Sequence, residues 1–235
     1  KRLRALDPLF TLWMVLVLPL RRSLSIPNVV SALLSGLRGR FPQLPLRPVT
    51  DGALAHARWR LGVAPLTALW QRLTALVKAD PAFHGLRVWA VDGTHLDMPD
   101  TPENVRAFGK IQGCRGDSAF PHLRLMALLE VVSRRIRAVR FLSSRISETK
   151  ALPSLVKNLG EGDLLLADRG LYAFPVVLQL LSQGSHFLFR VRKILTLQRL
   201  HTLGQGDWIG EIKYRLPLAE IPALPSLRVL SHMRK

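Results

Sequence analysis

The fold is decided by Leu86-Arg-Val-Trp-Ala-Val-Asp-Gly-Thr94 and by a second stretch, Asp163-Leu-Leu-Leu-Ala-Asp-Arg-Gly170. Each contains a short apolar run of the kind that forms a strand buried on both faces of a sheet. Each run is followed by an aspartate, Asp92 in the first stretch and Asp168 in the second. In sheets whose strands alternate with helices, ligand sites lie at the ends of central strands. We therefore predict that both carboxylates lie at such strand ends.

Two carboxylates that leave adjacent strands can share Mg²⁺ or Mn²⁺, because these hard cations prefer oxygen ligands and leave positions for substrate phosphates. In a two-metal site one ion activates the attacking water or 3′-hydroxyl, and the other stabilises the leaving oxygen. A structural role is an equal alternative at this point, since Asp-Gly also forms hairpin turns and an aspartate often caps a helix. From these two stretches alone, both interpretations of Asp92 and Asp168 stay open.

The rest of the chain predicts a helical domain followed by a mixed α/β sheet. Residues 1–80 have apolar side chains at helical spacing, and residues 81–193 alternate strands with helices. Residues 194–235 have short apolar stretches separated by glycines and prolines, which predicts an incomplete β-rich segment. Within 81–193 we predict strands near 86–91, 163–167 and 185–192, a hairpin over 123–142, and helices over 147–159 and 174–183.

Composition indicates a folded protein with a polyanionic partner. The chain has 235 residues, with 34 lysines and arginines against 16 acidic residues, which gives a formal net charge of +18. The basic residues extend from Arg2 to Lys235, which favours a broad basic face over a charged tail. Such a charge attracts nucleic acid most directly, although an anionic membrane surface or ribosomal RNA could also explain it.

The cysteine content and the N-terminal apolar run bear on the cellular compartment. The single cysteine, Cys114, excludes an intrachain disulfide and a CxxC zinc finger, which suits a reducing cytoplasm. The run from Leu9 to Leu20 imitates a signal peptide, but it has no small-x-small cleavage site and is shorter than the ~20 residues of a membrane span. We predict a buried helix for this run.

Longer motifs around the two aspartates resemble the insertion-sequence-four family of DDE transposases. The first block of that family resembles Val91-Asp-Gly-Thr94, followed by Asp100-Thr-Pro-Glu-Asn104 and Phe108-Gly109, and the second resembles Leu164-Leu-Leu-Ala-Asp-Arg-Gly-Leu-Tyr172. The similarity extends over residues 2–193. Other positions in the family's order are Ala57-Arg-Trp-Arg-Leu-Gly62, Phe120-Pro121, Arg124-Leu125, Ala127-Leu128 and Glu148.

This resemblance implies a ribonuclease-H-like catalytic core over 81–193, preceded by a helical domain over 1–80 that binds transposon ends. It also implies a β-rich insertion, of which 194–235 would be the start. Asp92 and Asp168 match the family's two catalytic aspartates, which bind Mg²⁺ or Mn²⁺. The implied function is metal-dependent cleavage and strand transfer in DNA transposition. The implied partners are double-stranded transposon ends and target DNA, with a homodimer at synapsis, in the bacterial cytoplasm at the nucleoid.

The family's third carboxylate is missing from this sequence. That glutamate belongs to a Tyr-x₂-Arg-x₃-Glu-x₆-Lys signature, whereas Tyr214-Arg215 is followed by Glu220 at a different spacing. We expect that the chain ends inside the insertion, and that residues 1–235 alone neither excise nor join DNA. The alternative is a non-catalytic DNA-binding remnant that inhibits transposition. The transposase hypothesis and the remnant hypothesis differ in whether the reading frame continues into the glutamate signature.

Four basic residues are candidate DNA contacts. Arg169 follows the second aspartate, where it could contact phosphate or instead orient Asp168 through an ion pair. Arg190, Arg192 and Lys193 lie on one face of the last predicted core strand, and they either contact the DNA backbone or form a solvated edge.

Two further carboxylates, Asp97 and Asp100, come soon after Asp92 in the sequence. Either could assist a metal ion. A solvated loop is the simpler interpretation.

Overall fold

The computed structural model describes residues 6–37, 39, 50–76, 80–114, 116–191, 197–212 and 229–232. The chain divides into two compact units, Lys1–Leu76 and Val77–Lys235. The first unit is helical, and the second contains all the described strands.

The N-terminal unit has the helices that the sequence predicts. Asp7 accepts a hydrogen bond from the Phe10 amide at 2.6 Å, which caps the start of the first helix. Thr50 caps the third helix in the same way through the Ala53 amide at 3.2 Å, and Gly62, with φ of 66°, ends that helix. The described helices are α1 (Pro8–Val17), α2 (Ile26–Leu37), α3 (Asp51–Leu61) and α4 (Ala64–Ala75), with a 3₁₀ turn (Leu18–Arg21) after α1.

The core of this unit forms between α1, α2 and α3. Phe10 and Met14 of α1 are buried in it, whereas Trp13, at the margin of this buried face, is 50% exposed. The predicted helix in the run from Leu9 to Leu20 is thus correct, but only one face of it is buried. None of the described helices is long and apolar enough to cross a membrane.

The second unit is built on a five-stranded sheet with the order β5-β4-β1-β6-β7. Strands β1, β6 and β7 are parallel to each other, and β4 runs antiparallel to both β1 and β5. This mixed sheet confirms the predicted α/β class. Its elements are β1 (Arg87–Asp97), α5 (Pro102–Phe108), β2 (Gln112–Gly113), β3 (Gly116–Asp117), β4 (His122–Glu130), β5 (Ile136–Ser143), α6 (Glu148–Val156), β6 (Asp163–Ala167), a 3₁₀ turn (Arg169–Leu171), α7 (Phe174–Ser182) and β7 (His186–Phe189).

Strand β1 is longer than the apolar run predicts. It continues past Asp92, because β4 pairs with β1 along its length and places Ala127 opposite Asp92. The prediction that Asp92 lies at the end of a strand is therefore wrong. The parallel pairing of β1 with β6 stops just before Asp92, because its last pair is Val91 with Ala167.

The core of this unit lies between one face of the sheet and the helices α6 and α7. Trp89 and Val91 of β1 and Leu165 of β6 are buried there with Leu152 and Leu155 of α6. Because side chains alternate along a strand, Asp92 and Asp168 belong to the other face of the sheet.

A buried carboxylate fixes the register of β1 against β6. Asp163 is paired with Arg87 across the two strands, and its side chain is only 6% exposed. Trp89 Nε1 and Arg87 Nε each lie 2.8 Å from Asp163 Oδ1. The Gly160 amide donates to Asp163 Oδ2, also at 2.8 Å. The contacts with Arg87 and Trp89 are lost if β6 shifts by one residue along β1, whereas the contact with Gly160 is local to the turn before β6.

The C-terminal part of the chain is β-rich, as the sequence predicts. Strands β8 (Leu197–Gly204), β9 (Asp207–Ile212) and β10 (Val229–His232) form an antiparallel sheet with the order β10-β9-β8. Trp208 is buried, and the Arg199 guanidinium lies 5.4 Å from the centre of its ring.

Replacing Asp163 tests the register contact. Asp163→Ala leaves the Trp89 and Gly160 N–H groups without their acceptor, so we expect a loss of about 1–3 kcal/mol in unfolding free energy. Urea denaturation followed by circular dichroism measures it. The control Asp117→Asn, at an exposed hairpin position, should change stability by less than about 0.5 kcal/mol. Equal effects of the two variants would contradict this role of Asp163.

Candidate metal centre

Asp92 and Asp168 occupy equivalent positions on neighbouring parallel strands. The last pair of the β1–β6 ladder is Val91 with Ala167; Asp92 is the next residue of β1, and Asp168 directly follows the end of β6. Neighbouring strands are ~4.8 Å apart, so the two carboxylates start from adjacent backbone positions. Their side chains share the face opposite to α6 and α7, since Val91 and Ala167 pack towards those helices.

The chain turns immediately after Asp168, which leaves this carboxylate exposed. Asp168 begins the 3₁₀ turn, in which the Leu171 amide donates to the Asp168 carbonyl oxygen at 3.0 Å. Leu171 is buried in the core and anchors the turn. Asp92 is also exposed. Both carboxylates are therefore accessible to a ligand.

The two carboxylates have few hydrogen bonds and no ion pairs among the described residues, which suits binding of a divalent cation. Asp92 Oδ1 accepts a hydrogen bond from the Gly93 amide at 2.8 Å. Within the described ranges neither aspartate forms an ion pair with a basic side chain. Two adjacent carboxylates without a counter-charge are the oxygen donors that Mg²⁺ and Mn²⁺ prefer. Among the described residues there is no group of three or more histidine, cysteine, aspartate or glutamate side chains that could hold a metal ion.

The predicted basic residues lie beside this pair where the structure describes them. Arg169 is exposed in the turn after Asp168, and no ion pair joins these two side chains among the described contacts. Arg190 is exposed just beyond β7, where its amide donates to the Ala167 carbonyl oxygen at 3.3 Å. Arg192 and Lys193 lie outside the described residues.

The two weaker acidic candidates are engaged elsewhere. Asp97 Oδ1 lies 3.0 Å from His122 Nδ1, on the face of the sheet opposite to Asp92. Asp100 Oδ1 lies 3.1 Å from Lys110 Nζ. Neither carboxylate joins the pair formed by Asp92 and Asp168.

A polar network lies behind the aspartate pair, on the helix side of the sheet. Arg124 Nε donates to His95 Nε2 at 3.1 Å and lies 3.7 Å from Glu148 Oε1. Arg124 also donates to the Ile146 carbonyl oxygen. Sequence reasoning gave these residues no role, because they come from β1, β4 and α6 and no spacing rule connects them. The only signals in the sequence were the positions of Arg124 and Glu148 in the family's order and Gly93 in the motif after Asp92.

The network affects the pKa of His95. Burial and the positive charge of Arg124 lower the pKa of His95 below its ordinary value. The negative charge of Glu148 opposes this effect, and the nearby His122 adds to it. A neutral imidazole has an acceptor nitrogen, which matches the hydrogen bond that His95 Nε2 accepts from Arg124.

Two family models match this chain. Residues 83–223 match the family described as "Transposase DDE domain", and residues 1–71 match "Insertion element 4 transposase N-terminal". The chain therefore belongs to the DDE transposases of the insertion element 4 type. The two matches agree with the family resemblance seen in the sequence, and the mixed sheet agrees with the predicted α/β class.

Two curated proteins of Escherichia coli (strain K12) are similar to this chain. "Transposase InsG for insertion sequence element IS4" is 26% identical over 217 residues, which cover 90% of this chain and 48% of that protein. "Putative transposase InsZ" is 28% identical over 172 residues, which cover 70% of this chain and 57% of that protein. The chain thus spans about half the length of the curated relatives it matches.

Solved structures show more distant similarity. A piggyBac transposase synaptic complex with hairpin DNA aligns with a TM-score of 0.37 and 12% identity, over 80% of this chain and 42% of that chain. A Mos1 transposase paired-end complex aligns with a TM-score of 0.30 and 11% identity, over 80% of this chain and 60% of that chain.

Removing the Arg124 charge should raise the pKa of His95. Arg124→Gln takes away a nearby positive charge that disfavours the imidazolium, so His95 should protonate at higher pH than in the wild type. Titration of the His95 ring signals by NMR measures the change. Arg106→Gln, on the exposed surface of α5, is the control and should leave His95 unchanged. An unchanged His95 titration in Arg124→Gln would contradict the electrostatic contact.

Proposed function

We propose that this chain forms the end-binding domain and the divalent-metal centre of a cut-and-paste DNA transposase, with Asp92 and Asp168 as metal ligands. The observation that supports this most strongly is the position of the two aspartates, one residue beyond the last β1–β6 pair on neighbouring strands. Membership of the DDE transposases supports the same assignment. No observation specifically favours the non-catalytic remnant.

The two carboxylates would hold Mg²⁺ or Mn²⁺ at the exposed face of the sheet. A bound ion supplies charge neutralisation and Lewis-acid activation for phosphodiester cleavage and strand transfer. The protein's own contribution is rigid placement: the β1–β6 ladder fixes the two backbone positions, and the Gly93 amide holds one oxygen of Asp92. Such preorganisation reduces the rearrangement that metal binding requires.

Basic side chains around the centre would bind the DNA backbone. Arg169 is exposed directly after Asp168, and Arg190 is exposed beside Ala167 at the end of the neighbouring strand. We include Arg192 and Lys193 in this surface because they follow Arg190 in the sequence. The net charge of +18 strengthens the attraction of DNA over a longer range. Binding through phosphate contacts should weaken as the salt concentration rises.

The helical domain, which we place at residues 1–80, would bind the transposon ends. Arg58, Trp59 and Arg60 are exposed on α3, and Trp59 is 84% exposed. Arginine pairs with phosphate, while an exposed aromatic ring offers stacking or groove contacts.

The catalytic core would cover residues 81–193, and the β-rich segment would cover residues 194–235. Synapsis of two ends would use a homodimer at the bacterial nucleoid, in the cytoplasm.

Neutralising either aspartate should abolish most metal binding. Asp92→Asn and Asp168→Asn each remove a charged ligand, so we expect Mn²⁺ affinity to fall by about tenfold or more, since even outer partners of ligands contribute 10–100-fold. Calorimetric titration measures the affinity, and broadening of amide signals by Mn²⁺ locates the ion.

Asp97→Asn is a matched control on the same strand. Its carboxylate lies against His122 on the other face of the sheet, so the substitution should leave Mn²⁺ affinity unchanged. The assignment fails if Asp97→Asn weakens Mn²⁺ binding as much as Asp92→Asn, or if both variants bind like the wild type.

A further inference from the structure

The residue after Asp92 has a close neighbour on the helix side of the sheet. A methyl group added at Gly93 would lie 2.8 Å from Glu148 Oε1 and 3.2 Å from Glu148 Cδ, closer than ordinary van der Waals contact. Gly93 has no positive φ angle. A side chain at residue 93 would therefore displace the Glu148 carboxylate, which occupies its position.

Glu148 is held in this position by its surroundings. It is the first residue of α6, where the free amides and the helix dipole favour a negative charge. The Arg124 guanidinium lies 3.7 Å away, and the two side chains are 15% (Arg124) and 31% (Glu148) exposed. Arg124 is tied to β1 through His95 Nε2 and to the loop before α6 through the Ile146 carbonyl oxygen.

We propose that the Glu148 carboxylate, held by Arg124, is a positioning group for Asp92. It supports β1 at Gly93 from the helix side, while Asp92 projects from the opposite face of the same strand. Glu148 is not itself a metal ligand in this scheme, because the sheet separates it from the carboxylate pair. The role rests on the proposed function of Asp92 as a metal ligand.

Mn²⁺ affinity of the full chain tests this role. Glu148→Gln keeps the shape of the side chain and removes the charge that pairs with Arg124, so we expect Mn²⁺ affinity to fall by about tenfold, as for other outer partners of metal ligands. Glu103→Gln is the matched control, since Glu103 also lies in the first turn of a helix and near an arginine but is exposed. It should bind Mn²⁺ like the wild type.

A double-mutant cycle tests the contact through stability and affinity together. Gly93→Ala should displace the Glu148 carboxylate, lowering both the urea midpoint and the Mn²⁺ affinity. In a Glu148→Ala background the added methyl group meets Met126 Cγ at 3.5 Å, an ordinary van der Waals contact, so Gly93→Ala should have little further effect on either quantity. Equal effects of Gly93→Ala in both backgrounds would overturn the contact.

The outcomes separate this role from the metal centre itself. A wild-type chain that binds Mn²⁺, with Glu148→Gln binding equally well, overturns the positioning role and leaves the ligands in place. A loss of stability in Glu148→Gln without a loss of Mn²⁺ affinity also overturns it, since that is a purely structural effect. A wild-type chain that does not bind Mn²⁺ overturns the proposed metal centre and the positioning role together.

Discussion

The parallel pairing of β1 with β6 is the constraint on which the candidate centre depends. Asp92 and Asp168 are far apart in sequence, and they become neighbours only because Val91 pairs with Ala167. A slip of one residue would turn every side chain of one strand to the other face of the sheet. Asp163 opposes that slip at the other end of the ladder, where Arg87, Trp89 and Gly160 surround its carboxylate.

The two faces of the sheet differ in what they contain. The helix side holds the apolar core and the network of His95, Arg124 and Glu148, which fixes the backbone of β1. The other face presents two carboxylates without counter-charges among the described residues. Strand alternation makes this possible, because adjacent residues such as Asp92 and Gly93 face opposite sides. A cation at one face can therefore be influenced by groups that never touch it.

Hydrophobic patterns in the sequence predicted β6, α6, α7 and the β4–β5 hairpin, because each is a local signal. The full length of β1 could not be predicted, since its second half depends on pairing with β4 rather than on an apolar run. The two aspartates could be proposed as metal ligands from the sequence because each lies inside a distinctive motif. The contact of Arg124 with Glu148 could not be predicted from the sequence, because only the folded sheet and helix bring these side chains together.

A disulfide across the centre tests the central geometry most directly. In a Cys114→Ser background, Asp92→Cys/Asp168→Cys places two thiols at adjacent positions on neighbouring strands, within the 4.4–6.8 Å Cα separation that a disulfide requires. We predict rapid cross-linking under mild oxidation, measured by mass spectrometry of the digested chain. The control Ala90→Cys/Asp168→Cys separates the Cα atoms by ~8 Å and should not cross-link. Efficient cross-linking of the control, with none in the first pair, would contradict the register on which the centre is built.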